Sequence, residues 1–234
     1  RIPFDIADPK FIDAYFNILH KPYEKDGVDF WWIDWRECPE NQKKTGFSCL
    51  SWLNRLLWLD QERRNSDRRP MTFGCRGSMD SGRYPVGFSA DACTSWETLA
   101  KEVELTATAS NALYGYWSHD IGGHMETGET SPELYLRWMQ FGAFSPVMRS
   151  HSAKFSYAER LFWNFPDPVG SFLRETILER YRWLPYIYSE CRRSCDTGVS
   201  LCRPLYYEAP EEADAYRNPG EYFCGDLLLA APVT

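Results

Sequence analysis

Gly27-Val28-Asp29-Phe30-Trp31-Trp32-Ile33-Asp34-Trp35-Arg36-Glu37 is the stretch that decides the fold of this chain. An apolar, aromatic-rich run opens after a glycine and ends abruptly at an acid. Such a run, Val28–Ile33, reads as a strand buried on both faces, the kind found in parallel sheets. Asp34 and Glu37 then fall at the carboxyl end of that strand, where parallel α/β folds gather their ligands and reacting groups. Aromatic rings beside a carboxylate suit a sugar, whose C–H faces are apolar and whose edge is polar. Asp34 is therefore expected to do chemistry on a carbohydrate.

Working outward, strand and helix patterns alternate. Pro9–Tyr23 carries apolar residues at helical spacing, with Asp8 as N-cap and Pro9 at the first helical position. Residues 38–46 are polar and read as a loop, Cys49–Asp60 as a helix, and Arg63–Arg69 as a charged surface turn. Pro70–Cys75 is a short strand, the glycine-containing stretch 77–83 a loop, and Val86–Ala90 another strand. Thr94-Ser95-Trp96-Glu97 has the form of a capping box for a helix running to Leu113. Tyr114–Ser118 is strand-like, Ser131-Pro132-Glu133 starts a helix, and Phe144–Met148 reads as a strand. A long helix follows over Ser171–Arg193, with a kink expected at Pro185, and the tail from Val199 reads as β structure.

Each strand of this series stops at a polar or charged group: Asp34, Arg76, Asp91, Asp120, then Arg149 and His151. Several strand ends aimed at one place is how a TIM barrel builds an active site. Five strands cannot close an eight-stranded barrel, so the fold expected is the second, C-terminal portion of a (β/α)8 barrel within a longer protein. No glycine-rich nucleotide motif is present.

Bulk properties narrow the function. A net charge of −7 and the lack of any long basic cluster exclude a nucleic-acid surface. No apolar run reaches the length of a membrane span. The 16% aromatic content, with 10 Trp, favours flat-faced ligands such as sugars. The 8 cysteines match no zinc spacing, leave disulfides (Cys38–Cys49, or among Cys191, Cys195 and Cys202) and buried thiols both open, and lean toward the secretory pathway. His119 and His124 offer two imidazoles, but Gly122-Gly123 between them breaks a helical pair, and no metal is expected.

Asp34 and Asp91 are the expected catalytic pair. Glycoside hydrolysis with retention needs two carboxyls roughly 5–5.5 Å apart, one to attack the anomeric carbon and one to serve as acid and then base. Residue chemistry alone leaves their roles open. Arg76, Asp120, Arg149 and His151 fit hydrogen bonding to sugar hydroxyls.

These residues carry a resemblance. Trp32-Ile33-Asp34-Trp35-Arg36-Glu37 resembles the nucleophile motif of glycoside hydrolase family 31, the α-glucosidase and α-xylosidase family. Phe88-Ser89-Ala90-Asp91 through Ser95-Trp96-Glu97 is similar to that family's acid/base region. Ser118-His119-Asp120-Ile121-Gly122-Gly123, Arg137–Pro146, Met148–His151, Arg203-Pro204-Leu205 and Ala231-Pro232-Val233 continue the likeness in order. The resemblance implies a retaining α-glycosidase with Asp34 as nucleophile and Asp91 as acid/base. Arg76, Asp120 and His151 line the subsite of the departing sugar, with Trp32 and Phe88 as apolar walls and Glu37 steadying the site from behind.

The resemblance implies no cofactor and an oligosaccharide or glycoside substrate. It also implies a barrel half over residues 1–198, the start of a β-sandwich domain over 199–234, and a need for the rest of the polypeptide for activity. A transglycosylase or a non-catalytic carbohydrate-binding relative is the alternative. Three departures stand out: Trp35 and Arg36 where many α-glucosidases have Met and Asn, Ala90 where glycine is usual, and a loop one residue shorter between Arg76 and Asp91.

Overall fold

The computed structural model describes residues 3–34, 39–64, 67–75, 79, 81–125, 130–154 and 159–234. The chain divides into two compact units, Arg1–Phe88 and Ser89–Thr234. Trp35 and Arg76 lie outside the described residues, as do Arg36, Glu37 and Cys38.

In the first unit Asp8 caps helix α1 (Pro9–Ala14) by accepting from the Lys10 amide at 2.9 Å, as its sequence predicts. The helix continues through a π-helical turn (Tyr15–His20) into α2 (Lys21–Lys25). Strand β1 (Trp31–Ile33) pairs in parallel with β2 (Thr72–Cys75), and β2 with β3 (Gly87–Phe88). Trp32 lies opposite Phe73, and Gly74 opposite Gly87. The period of two puts Trp32, Phe73 and Phe88 on one face and turns Ile33 to the other. There Ile33 joins a core with Ile6, Phe16, Leu53 and Leu57.

Residues 39–45, expected as loop, form helix α3 (Pro39–Thr45), with proline at the first position, where its missing N–H costs nothing. Helix α4 (Cys49–Arg64) runs past the expected stop at Asp60, because Arg64 pairs with Asp60 one turn back and with Glu24. Two buried amides on α4 stitch it to β2. Thr72 Oγ1 donates to Asn54 Oδ1, and Gln61 exchanges two 3.0 Å hydrogen bonds with the backbone of Met71.

The second unit is built on α5 (Trp96–Thr108), α6 (Pro132–Ala143) and α7 (Val169–Thr197), with the short strand β4 (Trp117–Ser118) after α5. Ser95, and not Thr94, caps α5 by accepting from the Thr98 amide at 3.1 Å, and Glu97 pairs with Lys101 and does not close the expected capping box. Leu99, Val103, Trp138, Phe141 and Leu173 form the core between these helices. Helix α7 is continuous through Pro185 and ends at Gly198, whose φ of +76° only glycine adopts freely.

The strand expected over Phe144–Met148 does not form. Pro146 has no N–H to give to a ladder, and the segment turns instead around Arg180. That buried guanidinium donates to the carbonyls of Ala143, Ser145 and Pro146. Parallel pairing resumes later, with Ile121 opposite Ser150. The tail forms an antiparallel sheet of β5 (Cys202–Pro204), β6 (Tyr222–Cys224) and β7 (Leu228–Ala230), interrupted by a short helix α8 (Asp214–Arg217). Among the described residues Cys93, Cys191, Cys195, Cys202 and Cys224 are free thiols, so no bridge joins Cys191, Cys195 or Cys202. No helix is long and apolar enough to cross a membrane among the described residues.

Candidate active site

In the first unit Asp34 directly follows β1, at its carboxyl end, and is exposed. It borders a cavity of about 340 Å³ walled by Tyr15, Trp31, Trp32, Ile33 and Leu57. Trp32 is 46% exposed although it sits in the middle of a strand. Its ring stands edge-on to Phe73 at 5.0 Å and to Phe88 at 5.6 Å, and those two stack on each other at 4.9 Å. Phe88 itself is only 1% exposed. The accessible wall is therefore Trp32, and Phe88, expected as a second wall, supports it from behind.

In the second unit two backbone ladders bring the remaining groups together. The His124 and Met125 amides both donate to the Ala92 carbonyl, and the Thr94 amide donates to Met125. The Ile121 amide donates to Arg149 and the His151 amide to Ile121. The segments carrying Asp91, Asp120 to His124, and Arg149 to His151 thus lie side by side.

Asp120 is fully buried. Its Oδ1 accepts from Arg149, while Oδ2, 3.8 Å from His151 Nε2, has no hydrogen-bond partner among the described residues. Burial holds the His151 imidazole below its ordinary pKa, with Asp120 pulling in the opposite direction. His124 Nδ1 lies 2.8 Å from His151 Nε2, the rings stacked with centroids 5.0 Å apart. On its other side His124 Nε2 is 3.7 Å from Asp91 Oδ2. Asp91, Asp120, Arg149 and His151, all named by the sequence, therefore form one cluster, with His124 at its centre.

Arg160 fixes the frame. It is buried and donates to the carbonyls of Gly123 and His151 and to the hydroxyls of Thr94 and Thr130. Gly122 (φ +93°) and Gly123 (φ +83°) make the tight turn that lets the chain pass this guanidinium and Thr94. Beneath the cluster, burial raises the Glu102 carboxyl to about 7; a hydrogen bond from Ser89 opposes the shift, and Asp120 adds to it.

His119 takes no part in the cluster. The Trp138 indole donates to its Nδ1 at 3.2 Å, so the ring proton is on Nε2 and is given to Ser145 Oγ at 2.9 Å. Burial, with help from Arg149, depresses its pKa to about 3, which makes it a neutral core residue.

The sequence profile of the glycosyl hydrolases family 31 TIM-barrel domain matches residues 2–190. The chain belongs to glycosyl hydrolase family 31. Among curated family 31 relatives, it is 32% identical to neutral alpha-glucosidase C of Homo sapiens, over 98% of this chain and 27% of that protein. It is 31% identical to the alpha-xylosidase of Emericella nidulans over 70% of this chain and 20% of that protein. With the alpha-glucosidase 2 of Bacillus thermoamyloliquefaciens the identity is 29% over 71% of this chain and 21% of the relative. The chain thus spans between about a fifth and a third of the length of the curated relatives it matches.

Among solved structures, the family 31 dextranase of Flavobacterium johnsoniae complexed with glucose superposes with a TM-score of 0.81 at 25% identity, covering 98% of this chain and 31% of that one. A family 31 alpha-xylosidase from a soil metagenome gives a TM-score of 0.80 at 19% identity, over 98% of this chain and 39% of that one, a likeness of fold. Part of a family 31 TIM barrel is therefore the architecture of this chain.

Two residues at this cluster, Arg160 and Glu102, carry no mark in the sequence, and a third, His124, is marked only as a histidine. Arg160 follows Ala158 and Glu159 with no pattern to mark it. Glu102 lies on a helix rich in acids, where only the register of Leu99 and Val103 hints that it points inward. His124 was visible as a histidine, but its contact with Asp91 depends on the Gly122-Gly123 turn.

Proposed function

We propose that these residues belong to a retaining α-glycoside hydrolase that releases a terminal sugar, most simply α-glucose, from the non-reducing end of its substrate. The observation that carries the reading is Asp120, whose Oδ2 is buried without a hydrogen bond from any described residue while Oδ1 is held by Arg149. A buried acceptor left open costs about 1–3 kcal/mol, so its natural complement is a ligand hydroxyl. Arg149 and His151 flank the same carboxylate.

Asp34 attacks the anomeric carbon and forms a glycosyl ester, while Asp91 donates a proton to the departing oxygen. Asp91 then takes a proton from the water that releases the sugar. The mechanism asks for about 5–5.5 Å between the two carboxyls. Residues 1–198 are read as a barrel half and 199–234 as the start of a β-sandwich domain, with the rest of the polypeptide needed for turnover. Trp35 and Arg36 are the residues to which an unexpected sugar preference would be traced.

The test is a screen of aryl α-glucoside, α-xyloside and α-galactoside on the full-length protein, beside Asp34→Ala. The variant is expected to lose turnover by several orders of magnitude, with partial recovery in azide as the glycosyl azide forms. Unaltered turnover in Asp34→Ala would remove the covalent mechanism.

A further inference from the structure

Around His124 the fold gathers more ligating atoms than hydrolysis of a glycoside requires. One ligand atom from each of Asp120, His124 and His151 lies within 4.8 Å of the other two, and His151 Nε2 stands 2.8 Å from His124 Nδ1 and 3.8 Å from Asp120 Oδ2. Asp120 Oδ2 is buried and has no hydrogen-bond partner among the described residues, so the acceptor that a cation would satisfy is already in place. The backbone on which two of the ligands stand is fixed, since Arg160 grips the carbonyls of Gly123 and His151 together.

We propose that Asp120, His124 and His151 form a binding site for a borderline divalent transition metal such as Zn²⁺. Two imidazoles and one carboxylate oxygen, with water as a fourth ligand, are a donor set and number that Zn²⁺ accepts. The surroundings supply the outer partner that such sites use. With Nδ1 of His124 on the metal, its Nε2–H faces the Asp91 carboxylate, at 3.7 Å. A carboxylate behind a ligating histidine fixes its tautomer and raises its basicity.

The hydrogen-bond pattern says what must change on binding. The 2.8 Å bond between the two rings holds one proton, and the tautomer that gives Asp91 an N–H assigns that proton to His151 Nε2. The metal takes the place of that proton, and His151 carries its N–H on Nδ1 instead. With both rings neutral the exchange releases no net proton. In acid the protonated rings must shed protons first, so affinity falls. Arg149, paired with Asp120 Oδ1, offsets part of the site's negative charge and keeps the affinity moderate.

The ligands are groups assigned above to the sugar, and Asp91 is the assigned acid. On that functional reading, bound Zn²⁺ would inhibit, competing with the sugar. The metal site itself does not depend on the reading, and its test uses no substrate. Co²⁺ is titrated into the full-length protein and followed by its visible ligand-field absorption, with Zn²⁺ affinity measured by displacement. Wild type is expected to bind one Co²⁺ in a band of low-coordinate intensity that Zn²⁺ removes. His124→Phe, which keeps an aromatic ring against His151, is expected to lose the band.

His124→Cys is expected to restore binding with a new near-ultraviolet sulfur-to-cobalt band absent from wild type, a result that simple misfolding cannot give. Asp91→Asn is expected to weaken Zn²⁺ about tenfold. Absence of the Co²⁺ band from wild type, or a band unchanged in His124→Phe, would overturn the proposal. Loss of Zn²⁺ inhibition with the cobalt band intact would count against the functional reading alone.

Discussion

Arg160 Nε lies 2.5 Å from the point that a Cβ on Gly122 would occupy. The Cδ and Cζ of the same side chain are 2.6 and 2.9 Å from that point, so no small rotation clears the space. Gly122→Ala must therefore displace the guanidinium that holds Gly123 and His151, and must place alanine at a φ of +93°. A loss of about 2 kcal/mol in stability is expected from the strain, with a larger proportional loss of activity as the ladder segments part. Gly220→Ala, where a Cβ would meet nothing within 4 Å, is the matched control. Thermal denaturation should separate the two, with the control staying within about 0.5 kcal/mol of wild type.

Ala90 is held at φ +71°, left-handed backbone that a Cβ disfavours. The strain costs about 1–2 kcal/mol, and glycine would relieve it at an unfolded-state entropy cost of about 0.4–1 kcal/mol. Ala90→Gly is expected to raise the urea midpoint slightly at unchanged m-value. A lower midpoint would show that the Ala90 methyl, buried here, contributes more by packing than it costs in strain.

Glu102 sets a pH dependence of stability. Its folded carboxyl is raised from 4.5 to about 7, so the folded state binds a proton more tightly than the unfolded state. Its contribution is fully present below about 4.5 and declines as pH rises to about 7, by roughly 3 kcal/mol across the window. Glu102→Gln keeps a neutral hydrogen-bonding group and should flatten this decline. Denaturant midpoints at several pH values between those limits provide the check.

His119 works in the opposite direction. Its folded pKa is depressed to about 3, so the neutral ring contributes stability above 6.5 that is lost as pH falls toward 3. His119→Ala should remove that acid sensitivity and leave the Trp138 indole and Ser145 hydroxyl without their shared partner. A loss of about 2–4 kcal/mol at neutral pH is expected from the cavity and the open polar groups. His119→Gln, which can serve both neighbours, should recover part of it.

The parallel sheet was legible because β1 is an unbroken apolar run and because Asp8, Pro9, Ser95 and Pro132 announce their helices by chemistry that acts within one turn. The failures arose where distant residues decide. Nothing between Phe144 and Met148 reveals that Arg180, on another helix, will gather three carbonyls there. Arg64 extends α4 through a pairing with Glu24, far away in sequence. At the cluster, strand ends named Asp91, Asp120, Arg149 and His151 because polar groups after apolar runs stand out. Glu102 and Arg160 reach the same place from a helix and a loop, where charged residues are ordinary.

The grip of Arg180 on the end of α6 also bears on how the protein opens. The carbonyls of Ala143, Ser145 and Pro146 find their donors on a helix more than thirty residues later in the chain. Neither helix can detach without leaving a buried guanidinium and three acceptors unmet, which couples their local unfolding. In native-state hydrogen exchange, the amides of α6 and α7 should therefore gain and lose protection together, as one cooperative block rather than as two fraying helices.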